Sequence, residues 1–334
     1  MYIYSSINKN YDNMKNRQLG KYGVRLSEIG LGSWLTFGYG VGADSSKKCI
    51  KAALDNEINF FDSADAYHKG EAEKVYGKVL FTDFKVRRDD VVLATKCYFP
   101  ITKKPNDQGL SRKHIFESVD HSLKRFRTDY IDLFQCHRFD ENTPLEETCR
   151  AFNDIIQMGK ILYWGVSEWS ARNIEDAVKI CERYNLHKPV SSQPQYNIIR
   201  PQIETNGVIE VSERYGMGQV VWSPLAQGVL TGKYSGGKIP KDSRAANDKM
   251  NWFLKDGIDR DLVDKVDRLK LYTDSLGITL AQFALAWCLR TKNVTSAIIG
   301  ATKIKQVHEN CKAVDIEFTP EMENKVKEIF YTRS

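Results

Sequence analysis

INFFD (58–62), VVLATK (91–96) and IDLFQCH (131–137) are three apolar runs, each ending on a polar residue: Asp62, Lys96 and His137. Tyr67 follows Asp62 by five positions. The polar ends are 34 and 41 residues apart, about one strand plus one helix each. Continuous apolar runs of this length read as strands buried in a parallel sheet. A carboxylate, a phenol, an amine and an imidazole would then meet at one end of adjacent strands.

Outward from these runs the alternation continues in both directions. Strands are expected at 29–31, 58–62, 91–95, 130–136, 162–166, 189–193, 219–222 and 296–299. Helical spacing falls between them, at 45–56, 71–80, 111–126, 144–158, 171–184, 202–215, 280–289 and 304–313. Ser111 is placed to cap one helix, and TPLE (143–146) to open another. Ahead of the first strand, residues 17–19 and 24–26 flank GKYG (20–23) as a small hairpin. Residues 320–330 form a further amphipathic helix outside the barrel.

Repeated strand–helix units give either an open doubly wound sheet or a closed barrel. The polar strand ends decide between them. They recur at Ser33 and Trp34, Asp62, Lys96, His137, Ser167, Gln193, Ser223 and Gly300. An open sheet gathers its site at one switch point, whereas a barrel gathers the loops of all its strands. The expected fold is α/β: a (β/α)8 TIM barrel with an N-terminal β-hairpin, a long lid loop and an extra C-terminal helix. Residues 231–257, rich in Gly and Lys and holding Pro240, are the lid; usual connections have about 2–6 residues. Residues 1–16 are expected to be a flexible N-terminus and 17–334 a single domain.

Composition narrows the function. The 334 residues are 42% hydrophobic, with 49 basic and 43 acidic side chains and a net charge of +6. No basic run suggests a nucleic-acid surface or a polybasic membrane contact. Seven cysteines, an odd number without a CxxC, argue against a disulfide framework and a zinc ribbon. Free thiols, no signal-like apolar segment at the start and no stretch near the roughly 20 residues that span a bilayer point to a soluble cytoplasmic protein. None of the six histidines forms HxxxH or HExxH, so no metal is expected. GYGVG (38–42) does not lead from a strand into a phosphate-facing helix. GKYSGGK (232–238) is followed by Ile239 and Pro240, which rules out a P-loop.

Any one of the four polar residues alone could be a helix cap or a loop bracket. Together they suit proton transfer. A tyrosine with pKa near 10 trades protons poorly at neutral pH, and a neighbouring ammonium lowers that value. Lys96 would supply the charge, Asp62 would hold Lys96, and His137 would orient a substrate oxygen beside Tyr67 as general acid. None of the four carries electrons, so hydride chemistry would need a bound cofactor.

At these residues the chain resembles the aldo-keto reductase superfamily, and within it the voltage-gated potassium channel beta-subunits with their bacterial and plant relatives. The likeness spans about residues 17–315. It rests on GLGSWLTFG (30–38), FDSADAYHKGEAE (61–73), LATK (93–96), GLSRKHI (109–115), DLFQCHR (132–138), NTPLEET (142–148), YWGVSEWSA (163–171), QPQYN (193–197), WSPLAQGVLTGKY (222–234) and IIGATKIKQVHEN (298–310). The resemblance implies a barrel that binds NADP(H) without a Rossmann fold and reduces a small carbonyl substrate. It implies a catalytic set of Asp62, Tyr67, Lys96 and His137. Ser33, Trp34, Asp62, Ser167, Gln193 and Trp222 would face the nicotinamide. Ser223, Pro224, Leu225, Ala226 and Gly228 would follow the pyrophosphate. Lys233, Arg244, Gly300, Thr302, Gln306, Glu309 and Asn310 would hold the adenine and 2′-phosphate end, helped by backbone N–H groups opening the last barrel helix.

Two departures matter. Animal channel beta-subunits carry Asn where this chain has His137, and Arg where it has Glu168. His137 is the residue of the reductases proper and favours turnover. Glu168 would contact a cofactor only through its backbone. The branch forms homo-tetramers, sometimes octamers. A cofactor-binding regulatory subunit with a channel partner is the alternative, although no channel-blocking N-terminal extension is seen. A class I aldolase with a Schiff base on Lys96 is a third.

Overall fold

Eight parallel strands close into a barrel in the computed structural model, which describes residues 14–38, 42–241, 243–246, 251 and 259–332. A two-stranded hairpin, β1 (Asn16–Gln18) and β2 (Arg25–Ser27), precedes it. The barrel then runs β3 (Ile29–Gly32), α1 (Ala43–Asp55), β4 (Phe60–Asp62), α2 (Glu71–Tyr76), β5 (Val92–Cys97), α3 (Arg112–Phe126), β6 (Ile131–Cys136) and α4 (Leu145–Gln157). It continues with β7 (Ile161–Ser167), α5 (Ala171–Arg183), β8 (Ser191–Gln193), α6 (Val208–Tyr215), β9 (Gly218–Trp222), α7 (Arg260–Ser275), α8 (Leu280–Leu289), β10 (Val294–Ile299), α9 (Ile304–Cys311) and α10 (Pro320–Val326). Strands β3 to β10 are neighbours in chain order, and β10 pairs back onto β3.

The alternation along each strand positions the site. Successive side chains point to opposite faces. Phe60, Ala94, Leu133, Val220 and Ile298 pack into one small cluster with Leu19 and Leu26 of the hairpin, which closes the N-terminal end of the barrel. Two positions further along their strands stand Asp62, Lys96, Gln135, Trp222 and Gly300. The polar layer therefore lies above an apolar plug. The larger core fills the space between strands and helices, with Phe61, Phe134, Trp164 and Trp287 fully buried. Gly20 seats the hairpin: its φ is +57°, and a Cβ there would lie 2.2 Å from the Gly216 carbonyl oxygen.

Several local expectations are corrected. Asp62 ends β4 as expected, whereas Lys96 lies inside β5 rather than first beyond it. Residues 202–215 are not one helix: a short turn at Gln202–Glu204 and α6 are separated by Gly207, whose φ of 85° no helix accommodates. Thr143 does not cap α4; its hydroxyl donates to Asp140 Oδ2 at 2.7 Å, and Pro144 occupies the cap without a side-chain bond. Ser111 does cap α3, accepting from the His114 N–H. Helix α7 was not anticipated, although Leu262, Val263, Val266 and Leu269 have helical spacing. Met14 is buried and Asn16 opens β1, both ahead of residue 17. Of the expected lid, residues 231–241, 243–246 and 251 are described, and the remainder lies outside the described residues, as do residues 1–13 of the expected flexible N-terminus.

Candidate active site

A cavity of about 780 Å³ opens at the C-terminal end of the strands. Its wall brings together Trp34, Asp62, Tyr67, Gln193, Trp222, Ser223, Pro224, Leu225, Gly228, Lys233, Arg244, Gly300, Thr302, Gln306, Glu309 and Asn310. These residues come from strand ends, from the loop after β9 and from the start of α9.

At one end of the cavity the four polar residues of the opening runs converge. Lys96 is fully buried and Asp62 nearly so. The Lys96 ammonium donates to Asp62 Oδ2 at 2.7 Å, to Asp62 Oδ1 at 2.9 Å and to the Ser63 carbonyl at 2.5 Å. All three of its donors are thereby used. Gln193 donates to Asp62 Oδ1 at 2.9 Å and ties β8 to the pair. Lys96 Nζ stands 5.2 Å from the centre of the Tyr67 ring, and the His137 ring meets Tyr67 edge-on at 5.6 Å. Trp34 and Phe99 close the aromatic ring around them, at 6.4 Å from Tyr67 and 4.8 Å from His137 respectively. His68 and Lys69 directly after Tyr67 both have left-handed backbones, followed by Gly70 at φ 87°. Such strain, about 1–3 kcal/mol per residue, persists only where the surroundings over-determine it.

The electrostatics differ from the sequence expectation. Burial raises the Tyr67 pKa well above 10, and the Asp62 charge raises it further, against a smaller opposing pull from Arg138. Of the pair, it is the Asp62 charge rather than the Lys96 charge that bears on Tyr67. Burial also lowers the Lys96 pKa, with Asp62 pulling it back up. His137 falls well below 6.5, through burial first and then the charges of Lys96 and Arg138. At neutral pH the site presents a protonated phenol and a neutral imidazole beside an ammonium–carboxylate pair. It can give a proton to an oxygen that gains negative charge.

Behind this site lies a second buried carboxyl. Asp65 is raised to about 7 by burial and by Glu73, while the Ser118 hydroxyl donates to its Oδ2 at 2.7 Å and Arg125 opposes the rise from further away. Glu73 is itself bonded by Arg125 and by the Thr95 hydroxyl. A carboxyl whose folded pKa exceeds its unfolded value binds more protons when folded, so stability falls as pH rises from about 4 to 7. The loss is on the order of 4 kcal/mol for this group. Replacing Asp65 by Asn should flatten that decline and make the protein more stable than wild type at pH 8 but not at pH 4. Urea unfolding at the two pH values measures it.

At the other end, Arg244 and Lys233 face the cavity. The Arg244 guanidinium is half-buried, lies 5.9 Å from the Trp34 ring and donates to Gln227 Oε1. Among the described residues no carboxylate forms an ion pair with Arg244. A sheltered guanidinium without an anion suits an anionic ligand. The loop after β9 holds left-handed backbones at Ser223, Ala226, Gln227 and Gly228. Gly228 suits its φ of +93°, a backbone conformation that other side chains rarely adopt.

Some expected contacts are not brought to the cavity wall. The hydroxyls of Ser33 and Ser167 are turned onto neighbouring backbone: Ser33 toward the Asp62 carbonyl at 3.2 Å, Ser167 onto the Gln193 carbonyl at 2.9 Å. Ala226, Lys96 and His137 are not among the residues that line the cavity. The N–H groups of Thr302 and Lys303, expected to receive a phosphate, instead donate to Gln306 Oε1 at 2.8 and 3.1 Å. An anion at that helix end has to displace the Gln306 side chain. The Glu168 carboxylate accepts from the Trp222 indole at 2.7 Å. Lining residues that sequence reasoning missed include Gln227, Thr231, Lys241, Ser243, Thr279, Ala281 and Lys303. Gln227 stands inside the quoted 222–234 run and could have been included. Thr279 and Ala281 open α8 and carry no local signal.

All seven cysteines are free and buried. Among the described residues no helix is long and apolar enough to cross a membrane, and no group of three His, Cys, Asp or Glu side chains is placed to hold a metal ion.

The whole of this arrangement has relatives. A probable voltage-gated potassium channel subunit beta of Oryza sativa subsp. japonica is 42% identical over 96% of this chain and 98% of its own length. A probable voltage-gated potassium channel subunit beta of Arabidopsis thaliana gives the same figures. A putative voltage-gated potassium channel subunit beta of Schizosaccharomyces pombe is 42% identical over 95% of this chain and 93% of its own length. The model of the Aldo/keto reductase family matches residues 28–330, from the start of the first barrel strand to beyond the last barrel helix. Barrel, strand-end site and sequence thus agree: the chain belongs to the aldo/keto reductase family.

Proposed function

We propose that the protein is an NADPH-dependent oxidoreductase that reduces small aldehydes or ketones, with Tyr67 as the general acid. The observation that carries this reading is the Tyr67 phenol at the cavity wall, beside the His137 ring and the Lys96–Asp62 pair. A bound nicotinamide would supply the hydride, which none of these side chains can. Trp222 would give it an aromatic face and Gln193 a carboxamide. The loop from Ser223 to Gly228 would follow the pyrophosphate. Lys233 and Arg244 would hold the 2′-phosphate, which sets NADPH apart from NADH.

The chain's own part is positional. Tyr67 delivers its proton to the substrate oxygen, His137 donates a hydrogen bond to that oxygen from a neutral ring, and the aromatic residues Trp34 and Phe99 keep water from the site. Lys96 is poorly suited to a Schiff base, since its three donors are spent on Asp62 and Ser63. We include in the proposal a single domain over 17–334, a cytoplasmic location and a homo-tetramer or octamer.

The relatives' names favour a second reading, a cofactor-binding regulatory subunit that partners a potassium channel. Oxidation of NADPH, read from the absorbance of the reduced cofactor and followed over methylglyoxal, glyceraldehyde phosphates and aromatic aldehydes, separates the two. Steady oxidation with at least one aldehyde is expected. Tight NADPH binding with no turnover over the panel favours the regulatory subunit.

A further inference from the structure

Glu168 follows the last residue of β7, in a left-handed backbone with φ of 57°. A side chain rarely adopts that conformation unless its bonds hold it. Glu168 Oε1 accepts from the Trp222 indole N–H at 2.7 Å and from the Gln195 backbone N–H at 2.5 Å. Its own N–H donates to the Gln193 carbonyl at 3.3 Å. The carboxylate is therefore pinned between the ends of β8 and β9. Both residues it braces, Gln193 and Trp222, line the cavity beside Asp62 and Tyr67. No Lys or Arg forms an ion pair with it among the described residues.

We propose that Glu168 is a positioning residue that fixes the Trp222 indole and biases the site toward the oxidised form of a nicotinamide cofactor. This rests on the reductase reading, which sets the nicotinamide beside Tyr67 and Trp222. The oxidised ring carries one more positive charge than the reduced ring. A fixed negative charge behind Trp222 attracts only the former. For charges one aromatic ring apart near a protein surface, the preference is on the order of threefold to tenfold. Reduction of a carbonyl then ends on a tightly held oxidised cofactor, and its release slows the cycle.

The test uses the full-length protein and calorimetric titration with NADPH and with NADP⁺. The quantity read is the ratio of the two dissociation constants, NADP⁺ over NADPH. Glu168→Gln keeps an acceptor for the indole but loses the charge, and should raise the ratio about threefold to tenfold. Glu168→Arg should raise it further, and added salt should shrink both differences. Glu168→Ala removes the acceptor and should weaken both nucleotides as well. A ratio within about twofold of wild type in both the Gln and Arg variants overturns the charge bias and leaves the reductase reading intact. Unchanged affinity for both nucleotides in the Ala variant overturns the bracing of Trp222. Failure of the wild-type protein to bind either nucleotide removes the reductase reading, and this inference with it.

Discussion

Tyr67→Phe should lower aldehyde reduction by about 10³-fold, with NADPH binding left within about twofold of wild type. The substitution removes one hydroxyl and keeps the ring, so the edge-on contact with His137 at 5.6 Å and the approach to Trp34 at 6.4 Å survive. Only the proton donor is lost. Steady-state kinetics with a competent aldehyde, together with calorimetric NADPH titration, measure both halves. The pH dependence gives a second check. Burial and the Asp62 charge hold the phenol pKa well above 10 in the cofactor-free protein. An acid that must be protonated to act stays active below its pKa. The tyrosine-dependent loss of reduction should therefore come only in alkaline solution. Turnover in the Phe variant close to wild type would show that another group protonates the product.

The barrel was legible in the sequence because its strands are buried on both faces. Such strands appear as unbroken apolar runs, and their polar ends mark the open rim. Asp62, Lys96 and His137 were found this way. Sequence periodicity does not show which way a side chain turns at the rim. The small Ser33 and Ser167 hydroxyls stand at strand ends as expected, yet bond the adjacent strand rather than face the cavity. Charge balance was also hidden. The expected Lys96 effect on Tyr67 left out burial and the Asp62 charge, both of which raise the phenol pKa. Thr279 and Ala281 escaped notice because closure of the barrel, not local pattern, carries the start of α8 to the cavity. Gln306 shows a third limit. Its amide bonds the N–H groups of Thr302 and Lys303 within one turn, and spacing alone cannot tell an anion site from a helix that caps itself.

Lys96→Met should cost about 3–5 kcal/mol of stability, besides most of the activity. The side chain is 0% exposed and its partner Asp62 is 3% exposed, so water cannot take the place of the lost ammonium. Removing it leaves the Asp62 carboxylate with the Gln193 amide at 2.9 Å as its side-chain donor. The variant can escape the buried charge by protonating Asp62. The double substitution Lys96→Met with Asp62→Leu removes both charges and should be more stable than the Met single variant by about 2 kcal/mol or more. Urea unfolding of the wild type, the two single variants and the double gives the coupling directly. A Met variant within about 1 kcal/mol of wild type would mean that the pair is not held as ions in the folded protein. The double variant should stay as inactive as the singles, because recovered stability returns no charge beside Tyr67. Stability and turnover then part company at one pair, which separates the cost of burying the ions from the chemistry they serve.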